Sequence, residues 1–194
     1  QQMLDDDSIH AIMCARGGYG LSRMIDAIDF GRFKKKPKWI IGFSDITVLH
    51  AHINRRFGIA TLHAPMAGAF NDDGYENEFV RSLQKAVTGK KLNYILPATS
   101  YDRKGMAEGE LIGGNLSMIA HLVGTPSSYK TENKILFIED IGEYLYHIDR
   151  LLMQLKRSGM FANIAGFVVG RFTEMKDTTI PFGQTIYEII FDKV

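Results

Sequence analysis

Short apolar runs alternate with amphipathic stretches through the first half of the chain. Residues 9–15 and 38–43 have the length and the β-branched content of buried strands, and residues 61–65 predict a third, shorter strand. After each of the first two runs, the apolar residues are spaced as in a helix. This alternation is the pattern that an α/β layer with a parallel sheet produces.

Three helices are predicted in the same half. The first begins near Leu21, and a polar segment at 71–79 opens another that runs through Val87. Between them lies a helix with four apolar residues spaced to share one face, namely Ile46, Leu49, Ile53 and Phe57.

The pattern changes near Leu92. Turn residues and short β segments dominate the following stretch, so a domain boundary or hinge is predicted at 93–106. Beyond it, "KILFIED" at 134–140 and "IAGFVVGRF" at 164–172 predict strands, and Gly159 ends the helix between them. That helix has an apolar stripe of Leu145, Ile148, Leu151, Leu152 and Leu155.

Composition narrows the class of protein. The 194 residues are 45% apolar and 23% charged, enough for a substantial core. The net charge of +1 gives no general reason to expect nucleic acid, and the basic run "KKKPK" at 34–38 is interpreted as a solvated loop. No apolar stretch reaches the ~18–20 residues of a membrane span, and no signal peptide is recognised. The single cysteine, Cys14, excludes an internal disulfide and fits a reducing compartment.

Both ends of the chain have the character of interior sequence. The chain begins "QQMLDDDSIH" without an initiator methionine and stops at "YEIIFDKV", within a predicted helix. We therefore expect both ends to be cut.

Ser44 stands where a predicted strand gives way to a helix, in "IIGFSDITVL" at 40–49. A serine at such a turn is presented above the sheet and can act as a nucleophile, although "GFSDI" lacks the second glycine of G-x-S-x-G. It can equally be an ordinary helix N-cap that satisfies a free backbone N–H, with Thr47 three residues on. The stretch alone leaves both interpretations open.

Consecutive glycines follow the first predicted strand, in "RGGYG" at 16–20. Their backbone N–H groups can hold an anion or a developing oxyanion, or the glycines can serve only a tight turn. Neither G-x-x-x-x-G-K-[ST] nor a complete G-x-G-x-x-G is present, so a nucleotide site is not expected.

Polar residues follow two later apolar runs. Glu139 and Asp140, in "FIEDIGE", come after four apolar residues, a common position for acids that orient a base, and also for a solvated strand end. "IGGNLS" at 112–117 allows close backbone approach to a ligand, or is a plain turn. The order of serine and then acid matches the hydrolase order Ser, Asp/Glu, His.

The histidines complete no constellation. His50 and His52 are two residues apart on a predicted helix, and one cysteine cannot make a zinc site, so no metal site is expected. His147 follows Glu143 by four residues and is predicted to pair with it. His63 is the one candidate base within the chain, but it precedes the acid and breaks the order.

Six stretches together resemble the LD-carboxypeptidase family, serine peptidases that include muramoyl-tetrapeptide carboxypeptidase and the microcin C self-immunity peptidase. They occur in the family's order and extend over nearly the whole chain. The stretches are "RGGYG" at 16–20, "GFSDIT" at 42–47, "HAPM" at 63–66, "GGNLS" at 113–117, "FIEDIGEYLYHIDRLLMQL" at 137–155 and "GFVVGRF" at 166–172.

The resemblance implies an α/β fold of two lobes. A flavodoxin-like N-terminal lobe with a parallel sheet, truncated here, would occupy residues 1–95 and carry the serine. A smaller, β-rich α/β lobe would occupy residues 106–194 and carry the acid. The family's opening strands and helix would precede Gln1.

The resemblance also implies a Ser-Glu-His triad, with Ser44 as the nucleophile and Glu139 as the acid. The family's histidine lies in a later stretch that has no counterpart in this chain, so the chain alone is expected to be nearly inactive. The remaining implied roles are the oxyanion hole, from the backbone amides of Gly17, Gly18 and Asp45, and a substrate contact, from Asn115.

The implied reaction is hydrolysis of the L,D bond before the terminal D-alanine of a murein tetrapeptide, in the cytoplasm during cell-wall recycling. A homodimer is implied, without metal, organic cofactor, nucleic acid or membrane partner. Two alternatives remain. One is an immunity-type peptidase that cleaves peptidyl-nucleotides or acyl-sulfamoyl adenylates, and the other is a non-catalytic module that binds peptidoglycan or nucleotides.

Overall fold

A computed structural model describes residues 1–71 and 76–194 of the chain. The chain divides into two compact units, Gln1–Leu96 and Pro97–Val194, and each unit has its own three-stranded parallel sheet. In both units the strands alternate with helices along the sequence. The α/β class predicted from the hydrophobic pattern is therefore confirmed.

The first unit holds three strands that pair in sequence order. They are β1 (Ala11–Met13), β2 (Trp39–Gly42) and β3 (Leu62–His63). The helices are α1 (Gln2–Asp5), α2 (Leu21–Met24), α3 (Gly31–Lys35), α4 (Thr47–Phe57) and α5 (Glu78–Val87), with 3-10 turns at Ile25–Ala27, Ser44–Ile46 and Ala67–Phe70. The predicted opening of α5 at 71–79 falls partly on residues 72–75, outside the described residues.

Helix α4 does not have the single apolar face that its spacing predicted. Leu49 and Phe57 are only half-buried, whereas His50 and His52 are buried. The helix contacts α2, β3 and both neighbouring 3-10 turns, so its burial extends around the helix rather than along one stripe. His52 stacks on Phe30 with ring centroids 5.2 Å apart.

The basic run at 34–38 is not simply a solvated loop. Lys38 is buried, and its ammonium donates to the backbone carbonyls of Met3 at 3.0 Å and Asp6 at 2.6 Å. Burying a charge is tolerated where hydrogen bonds replace its water. The last lysine of the run therefore fastens the N-terminal segment to the unit, and the interpretation of that residue as solvated is wrong.

The second unit again pairs its strands in sequence order. They are β4 (Leu111–Asn115), β5 (Ile135–Ile141) and β6 (Gly166–Thr173), and the helices are α6 (Leu116–Leu122), α7 (Leu145–Arg157) and α8 (Ile186–Lys193). Residues 97–110, all of them described, form neither helix nor strand, but β4 lies within the turn-rich stretch beyond Leu92 for which short β segments were predicted. The loop or turn predicted at 112–117 is wrong, because these residues are the end of β4 and the start of α6.

The middle strand of the second unit has two unlike faces. Leu136, Ile138 and Asp140 are buried, whereas Phe137 and Glu139 between them are only half-buried, as the two-residue period of a strand requires. Four residues of the stripe predicted for α7 are buried, and Leu145 at its start is half-buried. The buried residues are Ile148, Leu151, Leu152 and Leu155. Gly159 follows that helix with φ of 82°, the left-handed conformation that often ends helices.

No helix within residues 1–71 and 76–194 is both long and apolar enough to cross a membrane.

Candidate active site

Ser44 occupies a strained position at the carboxyl end of β2. Its φ is 63°, and the other non-glycine residues with positive φ in the described chain are Asn133, Asn163 and Glu174. For a residue with a Cβ, the left-handed region costs about 1–2 kcal/mol. A serine held on a strained turn between a strand and a helix is the arrangement of a nucleophile elbow.

The structure does not support Ser44 as a helix cap. Within residues 1–71, neither the 3-10 turn Ser44–Ile46 nor α4 has a side-chain cap hydrogen bond. The N–H of Thr47, which a capping serine would satisfy, donates to the backbone carbonyls of Ser44 and Asp45 instead. The Ser44 hydroxyl is therefore not needed to begin the helix.

The glycine loop contacts Ser44 directly through Gly17. A Cβ placed on Gly17 would lie 2.9 Å from the Cβ and 3.0 Å from the Oγ of Ser44. Gly18 has a different requirement, since its φ is 141° and a Cβ there would meet nothing within 4 Å. The first glycine provides space for the serine and the second provides an unusual backbone conformation.

Asp45 connects the serine turn to the same loop. Its buried carboxylate accepts a hydrogen bond from the N–H of Leu21 at 3.1 Å, and Leu21 is the first residue after the loop "RGGYG". The side chain of Asp45 thus holds the end of the loop while its backbone amide remains beside Ser44.

His50 supports the end of β2 through a hydrogen bond. Its Nε2 lies 2.9 Å from the carbonyl oxygen of Gly42, which also accepts the N–H of Ala64 at 3.1 Å. Burial lowers the pKa of His50, so the ring is neutral at pH 7 and its Nε2–H donates to this carbonyl. Gly42 precedes Ser44 by two residues, so His50 fixes the strand that presents the serine.

His63 is a weak candidate for the general base. Its ring centroid lies 6.2 Å from that of Phe43 and 6.3 Å from that of His50. The side chain keeps an exposed surface, yet the protein packed around it, with a smaller effect of His50, lowers the pKa of His63 to about 4. An imidazole with that pKa binds a proton poorly at pH 7.

A cavity of about 620 Å³ lies in the first unit beside the serine turn. Its walls are largely apolar and include Ala15, Phe43, Met66 and Phe79, with Arg16 and His63 among the lining residues. Arg16 and Phe43 immediately precede Gly17 and Ser44, respectively.

Asp140 organises the corresponding edge of the second sheet. Its carboxylate accepts hydrogen bonds from the amide Nδ2 of Asn115 at 2.8 Å, from the N–H of Ser117 at 3.0 Å and from the hydroxyl of Ser117 at 2.7 Å. The Oδ1 of Asn115 in turn accepts the N–H of Met118 at 3.2 Å, which caps α6. These hydrogen bonds make Asp140 a structural carboxylate.

Glu139 immediately precedes Asp140 near the end of β5, and the Asn115 side chain hydrogen-bonds to both residues. Burial, reinforced by the negative charge of Asp140, raises the pKa of Glu139 to about 7, although a hydrogen bond from Asn115 opposes the rise. Gly170 on β6 leaves room for it, because a Cβ there would lie 3.1 Å from the Cβ of Glu139. A carboxyl group in this state ionises readily once a cation such as an imidazolium lies beside it.

The structure brings the predicted site residues together within each unit. Gly17, Gly18, Ser44 and Asp45 meet at the carboxyl edge of the first sheet, and Asn115 pairs in register with Glu139 in the second. Asn115 is buried and its amide is engaged, so its direct contact with substrate stays a prediction.

Sequence reasoning did not predict the supporting roles of Ser117, Asp140 and His50, although Asp140 was named as a candidate acid. Ser117 ends the motif "GGNLS" and Asp140 adjoins Glu139, so a polar residue at each strand end was the available signal. For His50 a buried position on α4 could not be inferred from helical spacing. Among the described residues, no group of three or more His, Cys, Asp or Glu side chains could hold a metal ion.

The two α/β units correspond to the two domains of a known peptidase family. Residues 1–64 match the family profile of the LD-carboxypeptidase N-terminal domain, and residues 108–194 match that of the LD-carboxypeptidase C-terminal domain. The chain therefore belongs to the LD-carboxypeptidase family, and the resemblance inferred from six sequence stretches is confirmed.

Relatives in this family have names that refer to murein peptides. The chain is 42% identical over 180 residues to the probable murein peptide carboxypeptidase of Bacillus subtilis, covering 88% of this chain and 54% of the relative. It is 32% identical over 181 residues to the murein tetrapeptide carboxypeptidase of Pseudomonas aeruginosa, covering 88% of this chain and 58% of that relative. The chain thus spans little more than half the length of these relatives.

Solved structures of the family have the same fold. The muramoyltetrapeptide carboxypeptidase from Oxalobacter formigenes is 28% identical, with a TM-score of 0.82 over 97% of this chain and 64% of that one. The microcin C7 self immunity protein MccF has a TM-score of 0.82 over 98% of this chain and 65% of that one. Its sequence identity of 23% means that it supports the fold alone.

Proposed function

We propose that the protein is a serine carboxypeptidase that hydrolyses the L,D-peptide bond before the terminal D-alanine of murein tetrapeptides. The observation that carries this proposal is Ser44, held at φ of 63° with the backbone of Gly17 against its side chain. The names of the relatives from Bacillus subtilis and Pseudomonas aeruginosa support the substrate class.

In the proposed reaction, the Oγ of Ser44 attacks the carbonyl carbon of the L,D bond. An O–C bond forms while the carbonyl electrons move onto oxygen, which the backbone N–H groups of Gly17, Gly18 and Asp45 stabilise. Collapse of this intermediate breaks the C–N bond, and the base transfers the serine proton to the departing D-alanine. Water then hydrolyses the acyl-enzyme.

Glu139 orients the base and stabilises its charged form in this proposal. The base in this proposal is the family's histidine, which lies in a stretch that has no counterpart in this chain. His63 is poorly suited to the role, because its pKa is about 4. The raised pKa of Glu139 is consistent with a carboxyl that awaits a cationic partner. The cytoplasmic location, the role in cell-wall recycling and the homodimer rest on the family resemblance.

The assay is release of D-alanine from a murein tetrapeptide by protein expressed from the complete reading frame. We expect Ser44→Ala to lower kcat by about 10⁴- to 10⁶-fold and Glu139→Gln by about 10²- to 10⁴-fold. Ser22→Ala, on α2, is the matched control and keeps wild-type kcat. The 194-residue chain alone is expected to release D-alanine at close to the background rate.

Three results would contradict the proposal. An active Ser44→Ala protein would show that Ser44 is not the nucleophile. Comparable rates for the chain and the complete protein would show that the base is a histidine within this chain, such as His63. Cleavage of an acyl-sulfamoyl adenylate without cleavage of tetrapeptide would assign the protein to the immunity-type peptidases.

A further inference from the structure

The apolar cavity of the first unit adjoins the serine turn from two sides. Arg16 leads into Gly17, and Phe43 leads into Ser44. Met66 lines the same cavity, and its Cε lies 3.8 Å from the position of a Cβ on Gly17. A group bound in the cavity is therefore adjacent to the atoms that would react at Ser44.

Arg16 supplies the charge of this cavity. It is exposed, and within residues 1–71 and 76–194 it has no hydrogen-bond or ion-pair partner. His63 is neutral at pH 7, so Arg16 is the charged side chain among the described lining residues. A guanidinium binds a carboxylate through two parallel hydrogen bonds, and an apolar surrounding strengthens that attraction.

We propose that this cavity is the subsite for the C-terminal residue that the enzyme removes, with Arg16 binding the free carboxylate of that residue. The apolar walls receive its small side chain. This inference rests on the proposed function and deepens it, because recognition of a free terminal carboxylate is what restricts a peptidase to the end of its substrate.

The chain geometry favours the terminal carboxylate over a side-chain carboxylate of the stem peptide. The terminal carboxylate belongs to the residue next to the scissile carbonyl, and Arg16 is the residue next to Gly17. Arg16 also lines the cavity beside the serine turn, so a carboxylate bound there is within reach of its side chain. A carboxylate at the end of a diamino acid side chain lies several bonds farther away.

The first test compares three murein tetrapeptides as substrates of the complete protein: the free acid, its C-terminal amide, and a peptide amidated at the diamino acid side chain. We expect wild-type kcat/KM to be about 10- to 100-fold higher for the free acid than for the C-terminal amide, as expected for loss of one charge-assisted interaction. Arg16→Gln lowers kcat/KM for the free acid to the value for the C-terminal amide. Arg23→Gln, which removes an exposed arginine outside the cavity, retains the preference.

The second test measures binding without turnover. Ligand-observed NMR compares N-acetyl-D-alanine with its amide on the Ser44→Ala protein, and we expect binding of the acid that Arg16→Gln abolishes. Equal binding of acid and amide, or acid binding that survives Arg16→Gln, overturns the subsite. The subsite is also overturned if, in the first test, kcat/KM falls on amidation of the diamino acid side chain rather than on amidation of the C-terminus. Arg16-dependent binding without D-alanine release from any tetrapeptide would instead overturn the proposed function and leave the subsite standing.

Discussion

A Cβ on Gly17 would lie 3.0 Å from the Oγ of Ser44, closer than nearly all real contacts of a Cβ. The loop after β1 and the turn after β2 are therefore fitted to each other at the side chain that we propose reacts. Parallel strands bring their carboxyl ends to one edge of a sheet, which is how segments 27 residues apart in sequence meet here.

Gly17→Ala is expected to disrupt this fit. The added methyl displaces either the loop or the Ser44 side chain, and displacement of a nucleophile by a few tenths of an ångström to 1 Å lowers kcat by about 10²-fold. The measurement is kcat for D-alanine release together with the rate of Ser44 labelling by a fluorophosphonate. Gly105→Ala, where a Cβ would meet nothing within 4 Å, is the control that leaves both rates unchanged. Wild-type rates in Gly17→Ala would show that the loop adapts freely.

Gly18→Ala tests conformation rather than space. The φ of 141° at Gly18 is one that residues with a Cβ rarely adopt, so we expect alanine to cost about 1–3 kcal/mol or to change the loop conformation. If the amides of this loop stabilise the oxyanion, kcat falls more than substrate affinity does. Equal losses in kcat and affinity would indicate that the loop acts in binding alone.

Asp45→Ala is expected to release the glycine loop from the serine turn. It removes the acceptor of the Leu21 N–H while keeping the Asp45 backbone amide, so kcat should fall by about 10-fold and stability by about 1 kcal/mol. Asp29→Ala is a matched control, because the Asp29 carboxylate also accepts a backbone N–H at a helix start, from Gly31 at 2.8 Å. The control should lose stability and keep kcat; a loss of kcat in both variants would point to a general effect.

Glu139 is expected to make the 194-residue chain less stable as the pH rises from about 4.5 to about 7. The folded chain keeps the proton on Glu139 up to its pKa of about 7, whereas the unfolded chain loses it near the ordinary value of 4.5. The folded state thus binds more protons in this window, and its free energy of unfolding falls by about 3 kcal/mol between about pH 4.5 and 8. Urea denaturation at pH 4.5 and 8 measures the difference.

Glu139→Gln should flatten this pH dependence, because the amide does not titrate. Glu132→Gln, at an exposed glutamate, serves as the control and should keep the wild-type profile. An unchanged slope in Glu139→Gln would mean that another group causes the loss of stability.

The sequence was sufficient for five of the six strands and for the position of Ser44, whereas β4 lies in a stretch that was interpreted as a loop or a turn. Apolar runs ending at polar or glycine positions mark parallel strands well, because both faces of the strand are at least partly covered. The motifs "RGGYG" and "GFSDIT" then identified which strand ends matter. Ser44 was placed at the correct turn, but its φ of 63° depends on the packing of the turn and could not be inferred from composition.

Tertiary contacts decided the features that the sequence did not predict. Lys38 is buried because two backbone carbonyls of the N-terminal segment lie within reach of its ammonium. His50 is buried because α4 contacts neighbours on several sides, and its role in holding Gly42 follows from that position. Helical spacing and charge patterns contain no information about such partners, which are 8 to 35 residues away in sequence.

The most direct measurement of the central claim is to locate the site of covalent modification in the protein from the complete reading frame. The protein is treated with a fluorophosphonate and digested, and the modified peptide is identified by mass spectrometry. We predict a single adduct on Ser44, absent from Ser44→Ala and slowed by murein tetrapeptide. An adduct on another residue, equal labelling of Ser44→Ala, or release of D-alanine by a protein whose Ser44 never reacts would contradict the assignment of Ser44 as the nucleophile.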